Sequence, residues 1–322
     1  MSILLSLLAF VGLLGALTAV QTRRIEARFP PNGVRVNVGE RAIHVLDRPA
    51  DGEERGAVLL IHGASGNSAD VFAALAHPLA AAGFRVLSAD RPGHGWSDRF
   101  GAKDAASPSI QAAALRKAAE KLGVGHAVVV AHSLGALAGL AMALDYPDFV
   151  RALVLIAPVS HPWPGGVAWY YAVGAHPWLG APFRRLVALP VGWLRMRRAV
   201  TGVFAPNPPP PDFIETTRLP LVLRPLHFRA NCEDVAHAGA AVAALSPRYG
   251  EIRAPTEVVT GDRDGVVYAH IHSAGSARDI PGARLTTLEG VGHSPHHVAP
   301  ERVVEIVLDA ERKAEERAAE AV

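Results

Sequence analysis

Cysteine is almost missing from this 322-residue chain: Cys232 stands alone, which excludes an intramolecular disulfide framework and every multi-cysteine zinc or iron–sulfur site. A surplus of either charge is missing too. The 32 Lys and Arg nearly cancel the 30 Asp and Glu, and a net charge of +2 argues against a nucleic-acid-binding protein, which carries a basic stripe or patch. Charged residues are sparse, at 19%, while 50% are hydrophobic, enough apolar mass for a packed core and too much for a disordered chain. At roughly 100–200 residues per domain the chain holds one large or two small domains.

Charge is wholly absent from residues 1–20 (MSILLSLLAFVGLLGALTAV), which at 1.5 Å per residue match the ~30 Å hydrocarbon core of a bilayer. Such uniform apolarity disfavours a half-exposed core helix. A cleaved signal peptide needs a positive region ahead of the apolar stretch, and a cut after Ala19 places Leu17 where a small residue is preferred. Residues 1–22 are therefore expected to form a membrane anchor, with signal cleavage and a secreted or periplasmic chain as the alternative. Arg23, Arg24 and Arg28 on the following flank favour a cytoplasmic catalytic domain by the positive-inside tendency.

Short apolar runs at 57–61, 84–88, 127–131, 152–156, 256–260 and 284–288 read as strands, and helical patterns lie near 69–82, 110–122, 134–145 and 268–277. Continuous Val/Leu/Ile strands alternating with helices indicate an α/β protein with a mostly parallel, doubly wound sheet. Runs at 34–38 and 42–46 alternate apolar and polar around Gly39-Glu40, as an antiparallel edge hairpin does. The expected core is 30–157 with 256–312. Residues 158–255 break the rhythm with a proline run and four of the five tryptophans, and read as an inserted helical cap. Residues 313–322 read as a charged, solvated tail.

The chemistry concentrates after the strands. Residues 128–138 (VVVAHSLGALA) are a strand, a serine between small residues and a helix start, the pattern that thrusts a hydroxyl out of a sheet. Ser133 is the candidate nucleophile; an ordinary helix-capping serine is the alternative. Residues 59–67 (LLIHGASGN) form a Gly-rich turn after another strand, able to aim backbone N–H groups at an acyl oxygen. Ala64 N–H and Leu134 N–H are the expected oxyanion donors, with His62, Gly63 and His132 in support. His293, after the last strand, is the candidate general base. Asp264 is preferred over Asp262 as its orienting acid, because Asp262 lies nearer the strand end and suits turn capping. His296 and His297 invite a metal reading beside His293, but no Cys, Asp or Glu lies among them, and no metal ligand is assigned.

With Ser133, His62-Gly63, Asp264 and His293 in this order, the chain resembles the α/β-hydrolase superfamily over about residues 34–312. Residues 90–98 (DRPGHGWSD) resemble a loop of its epoxide-hydrolase-like and esterase branch. The resemblance implies a serine hydrolase cleaving carboxylic esters of hydrophobic small molecules through an acyl-enzyme, without metal or organic cofactor. Carbon–carbon bond hydrolysis or cofactor-free perhydrolysis on the same triad stays open, as does a non-catalytic binding protein of the same fold. Ala131 and Ala136 depart from the glycines usual at the serine turn. The arginine-bearing, acid-free stretch 149–211 leaves two readings of the cap, a lid with its own aromatic core or a lipid-facing surface.

Overall fold

The computed structural model describes residues 2–101 and 104–320; position 1 of the apolar segment and 321–322 of the charged tail lie outside the described residues. The unbroken apolar start folds as a single helix, α1 (Ser2–Arg28), long and apolar enough to cross a membrane. The hairpin β1 (Val34–Val38) and β2 (Arg41–Arg48) follows, turning through Gly39 at φ +66°. Then come β3 (Gly56–Ile61), α2 (Ser68–Ala81), β4 (Phe84–Ala89), α3 (Pro108–Lys121), β5 (Ala127–His132), α4 (Ala136–Asp145) and β6 (Val150–Ile156). Between β6 and the next strand the described residues form helices and turns only: α5 (Trp169–Ala175), α6 (Gly180–Phe183), α7 (Leu189–Phe204), α8 (Phe213–Thr216) and α9 (Pro225–Leu245). The chain closes with β7 (Thr256–Gly261), α10 (His272–Asp279), β8 (Arg284–Leu288), α11 (Pro295–Val298) and α12 (Pro300–Glu320).

The eight strands make one sheet in the order β1-β2-β4-β3-β5-β6-β7-β8, antiparallel only at the β1-β2 and β2-β4 pairings. Alternate side chains of the central strands feed two cores. Leu59, Val129 and Leu153 point to the layer holding Leu115, Leu140 and Val242, while Val58, Val130 and Val154 point to the layer holding Leu75, Leu79 and Val307. Burial on both sides is why these strands read as continuous apolar runs rather than alternating ones.

Three local expectations shift. The helix after β5 opens with a 3-10 turn at Ser133–Gly135 before α4 begins. The pattern at 268–277 becomes helical only at His272, because Asp264 Oδ1 accepts from Val266 N and Val267 N and holds the preceding segment in a turn. The tail from 313 continues α12 to Glu320: Lys313 pairs with the buried Glu257, Ala314 is buried, and Arg317 donates to Arg253 O at 2.8 Å.

The loop after β4 is a buried polar brace. Asp90 accepts from Ser68 N (2.6 Å), Trp96 N (2.8 Å) and His44 Nδ1 (2.8 Å). Burial works to raise its carboxyl, but the His44 hydrogen bond and charge outweigh it and hold the group down at about 2. A depressed carboxyl stabilises the folded state above its unfolded value and loses that contribution as pH falls through the folded value. Acid titration followed by circular dichroism should therefore show about 2 kcal/mol of stability disappearing between about pH 4 and about pH 2, a loss absent from Asp90→Asn.

Next to it, Arg91 is 2% exposed and pairs with Asp234 of α9 at 2.6 Å, while donating to Gln111 Oε1, His62 O and Gly63 O. Removing one member of a buried pair strands the other's charge, so Asp234→Ala should cost about 3–5 kcal/mol in urea unfolding, and a loss under about 1 kcal/mol would contradict this account.

Candidate active site

The parallel strands β3, β5, β7 and β8 all end at one edge of the sheet, and the loops leaving them converge there, as sites of open α/β sheets do. Ser133 leaves β5 at φ +52°, a left-handed backbone that side-chain-bearing residues adopt at a cost of about 1–3 kcal/mol. The turn is possible because its neighbours are small. A Cβ on Gly135 would fall 2.4 Å from His62 O, and one on Gly63 would fall 3.1 Å from the Ser133 Cβ. Ala131 faces Gly139 of α4, where a Cβ would come within 3.0 Å of the alanine methyl, so the helix glycine makes the room that an alanine in the strand takes up.

Ser133 Oγ lies 2.9 Å from His293 Nε2, and His293 Nδ1 lies 2.8 Å from Asp264 Oδ2. All three are nearly enclosed. Burial works to raise the Asp264 carboxyl, but the hydrogen bond and charge of His293 and the N–H groups of Val267 and Val266 prevail and keep it below the usual carboxylate range. Asp262 has a different place: its Oδ1 accepts from Gly290 N at 2.7 Å and ties the β7 and β8 loops together.

His62 is fully buried, and burial, followed by the charge of Arg91, pushes its imidazole down to about 3, so it is neutral. Arg91 N donates to His62 Nε2 at 3.0 Å; Nδ1 therefore carries the proton and donates to Gly63 O at 2.9 Å. This fixes the loop that holds Ala64, whose N–H bonds to no described group. His132 Nε2 lies 3.1 Å from His293 O, and burial, followed by the charge of His293, lowers His132 to about 4. Cys232 is buried on α9, where burial raises its thiol to about 12 and leaves it unreactive.

Two contributions came from outside the motifs. Asn231 of α9 accepts from Ser65 N at 2.7 Å and donates to Ser65 Oγ at 3.1 Å, clamping the Gly-rich turn from the helical segment. Asn67 caps α2 through Ala69 N and donates to Thr217 O at 2.9 Å. Neither partner is visible in sequence, because they lie 166 and 150 residues away.

The fold also supplies the carboxylate missing from the 293–297 histidines. Asp70 of α2 joins His132 and His296, with ligand atoms within 4.8 Å of one another, the one such group among the described residues suited to share a metal ion. Both ring nitrogens of His296 and Nδ1 of His132 have no hydrogen-bond partner among the described residues, and burial pushes the His296 imidazole well below its ordinary value. His297 Nε2 donates to Asp70 Oδ1 at 2.9 Å.

Comparison with known proteins agrees with this architecture. Residues 56–300 match the family model of the alpha/beta hydrolase fold. The chain is 31% identical over 303 residues to the magnesium-chelatase 30 kDa subunit of Rhodobacter capsulatus, covering 89% of this chain and 98% of that protein. It is 24% identical over 247 residues to 2-hydroxy-6-oxo-6-phenylhexa-2,4-dienoate hydrolase of Burkholderia cepacia, covering 74% and 81%. Its fold superposes on a thermophilic esterase from Thermogutta terrifontis with a TM-score of 0.64 at 23% identity, over 87% of this chain and 98% of that one. The eight-stranded sheet and the family match together establish that the chain belongs to the alpha/beta hydrolase family.

Proposed function

We propose that this protein is a membrane-anchored serine hydrolase that cleaves carboxylic esters of hydrophobic small molecules. The observation carrying the reading is the hydrogen-bonded series Ser133 Oγ, His293, Asp264 at the loop-bearing edge of the sheet. His293 Nε2 takes the hydroxyl proton as Ser133 Oγ attacks the acyl carbon, and Asp264 stabilises the imidazolium. The tetrahedral oxyanion is held by Ala64 N–H and Leu134 N–H. The bond from the acyl carbon to the alkoxy oxygen then breaks, the proton passes from His293 to that oxygen, and the alcohol leaves. Water, deprotonated by His293, attacks the acyl-enzyme and releases the acid, returning the proton to Ser133. No metal or organic cofactor enters these steps.

A fluorophosphonate probe tests the reading, because only an activated serine reacts: the chain should be labelled at Ser133, and an unlabelled chain would place it among non-catalytic binding proteins of this fold. The relative that is a dienoate hydrolase keeps carbon–carbon bond cleavage as an alternative on the same triad, with perhydrolysis as another. A panel of p-nitrophenyl esters, vinylogous diketones and peracid-forming mixtures separates them by turnover. The match over 98% of the 30 kDa subunit of magnesium chelatase favours a second reading, in which the hydrolase works beside a magnesium-inserting enzyme; co-purification of such an enzyme with the full chain tests it.

Anchoring by α1 is supported by its exposed leucines, and a cytoplasmic site by Arg23, Arg24 and Arg28. Carbonate extraction of expressing cells should leave the full chain in the membrane pellet, with Met1–Val20 retained on mass analysis.

A further inference from the structure

Among its described side chains, helix α1 is shielded at Leu14, Gly15, Gln21, Thr22 and Glu26 in part and at Thr18 and Ile25, with Phe29 just beyond its end, at the spacing of one broad helix face. The helix packs on the Arg184–Ala188 and Leu219–Leu223 turns, and Ile25 and Phe29 join a cluster with Leu189, Met196 and Leu221. The apolar run continues to Val20. From Leu14 to Val20, roughly 9 Å of helix at 1.5 Å per residue belongs both to the membrane-crossing segment and to the stretch flanked by protein. Seating that run in a bilayer therefore carries the adjoining helical face down to the boundary between headgroups and acyl chains.

That face has the chemistry of such a depth. Trp169, Trp178, Leu179, Val191, Trp193 and Leu194 are exposed, Trp178 at 82% and Leu194 at 83%. Trp169 lies against Phe183, next to the Arg184–Ala188 turn that α1 touches. Helix α7 turns Leu189, Met196 and Val200 inward, and its outer surface changes along the axis from Val191 and Leu194 to Arg195, Arg197 and Arg198. None of these three arginines has an acidic partner within 4.0 Å among the described residues, so an anionic headgroup would meet their unpaired charge. Exposed apolar side chains, tryptophans and unpaired arginines are the residue types of the acyl boundary, the interfacial belt and the headgroups.

Helix α5 links this face to the reaction centre. Trp169 at its start is exposed, whereas Tyr171 two residues on packs, with Ala64, against the core under the serine turn.

We propose that this face of α5–α7 docks into the bilayer crossed by α1, with Arg195, Arg197 and Arg198 on anionic headgroups, and that the substrate is a lipophilic ester taken from the bilayer rather than from water. The docking rests on α1 as an anchor, and the substrate class on the hydrolase reading above.

The full chain reconstituted in phosphatidylcholine/phosphatidylglycerol vesicles tests both parts. Helix α1 has no tryptophan, so brominated acyl chains report on the docking face. Emission should be strongly quenched relative to unbrominated vesicles, and the quenching should vanish when Trp169, Trp178 and Trp193 are changed to Phe. Equal emission from the parent protein in both vesicles overturns the docking. Trp178→Asp with Leu194→Asp should lower turnover of a long-chain ester dissolved in the vesicles about tenfold, with hydrolysis of p-nitrophenyl acetate held within about twofold. Equal effects on the two esters overturn the substrate class. A parent protein that hydrolyses neither ester and takes no fluorophosphonate label refutes the hydrolase reading, one that labels but hydrolyses neither ester refutes the ester substrate class, and the quenching still decides the docking.

Discussion

Ser133→Ala should abolish hydrolysis of p-nitrophenyl acetate, with kcat falling by a factor on the order of 10⁶, as expected when the nucleophile of a cooperating triad is removed. The change deletes one oxygen from a 7%-exposed side chain whose hydroxyl partner is His293, and it leaves the Val159 N to Ser133 O backbone bond intact. Circular dichroism and urea midpoint should therefore stay close to those of the parent. Retained hydrolysis would remove Ser133 from the mechanism. Retained fluorophosphonate labelling at another residue would identify the nucleophile instead.

Asp264→Asn should lower kcat by about 10⁴, because an amide in place of the carboxylate removes the charge that stabilises the imidazolium and favours the wrong imidazole tautomer. Asp262→Asn should leave kcat within about tenfold, since its contact is the Gly290 N–H, which an amide oxygen also accepts. The pair of variants decides between the two acids in one assay. A collapse with Asp262→Asn and none with Asp264→Asn would reverse the assignment.

Legibility in the sequence followed the range of the physics involved. The buried strands stood out because both faces of β3, β5 and β6 are covered, so each had to be apolar throughout. The turn at Ser133 was readable because a left-handed residue at a crowded approach demands small neighbours in sequence. Asp264 and His293 were readable as residues just beyond strand ends.

What stayed hidden depends on pairing at long separation. Asn231 on Ser65, Asp234 on Arg91 and Asp70 beside His132 and His296 join segments whose local patterns give no hint of one another. The covered start of the tail, Lys313 and Ala314, is hidden for a related reason, while 315–320 are exposed as their charges suggest. Its charges and alanines describe a solvated helix until Glu257, on a strand far earlier in the chain, supplies a partner for Lys313.

The same long ties decide what can be exchanged between relatives. Helix α9 donates Asn231 to the Ser65 turn and Asp234 to Arg91, and Arg91 in turn holds His62 O and Gly63 O. The helical segment is thus part of the Ser65 turn's own scaffold, and a foreign α5–α9 unit grafted onto this sheet would leave that turn unbraced. A productive chimera has to keep Asn231 and Asp234 in register with Ser65 and Arg91. Diversification of α6 and α7, which carry neither tie and lack the Tyr171 contact of α5, leaves the Ser65 turn braced.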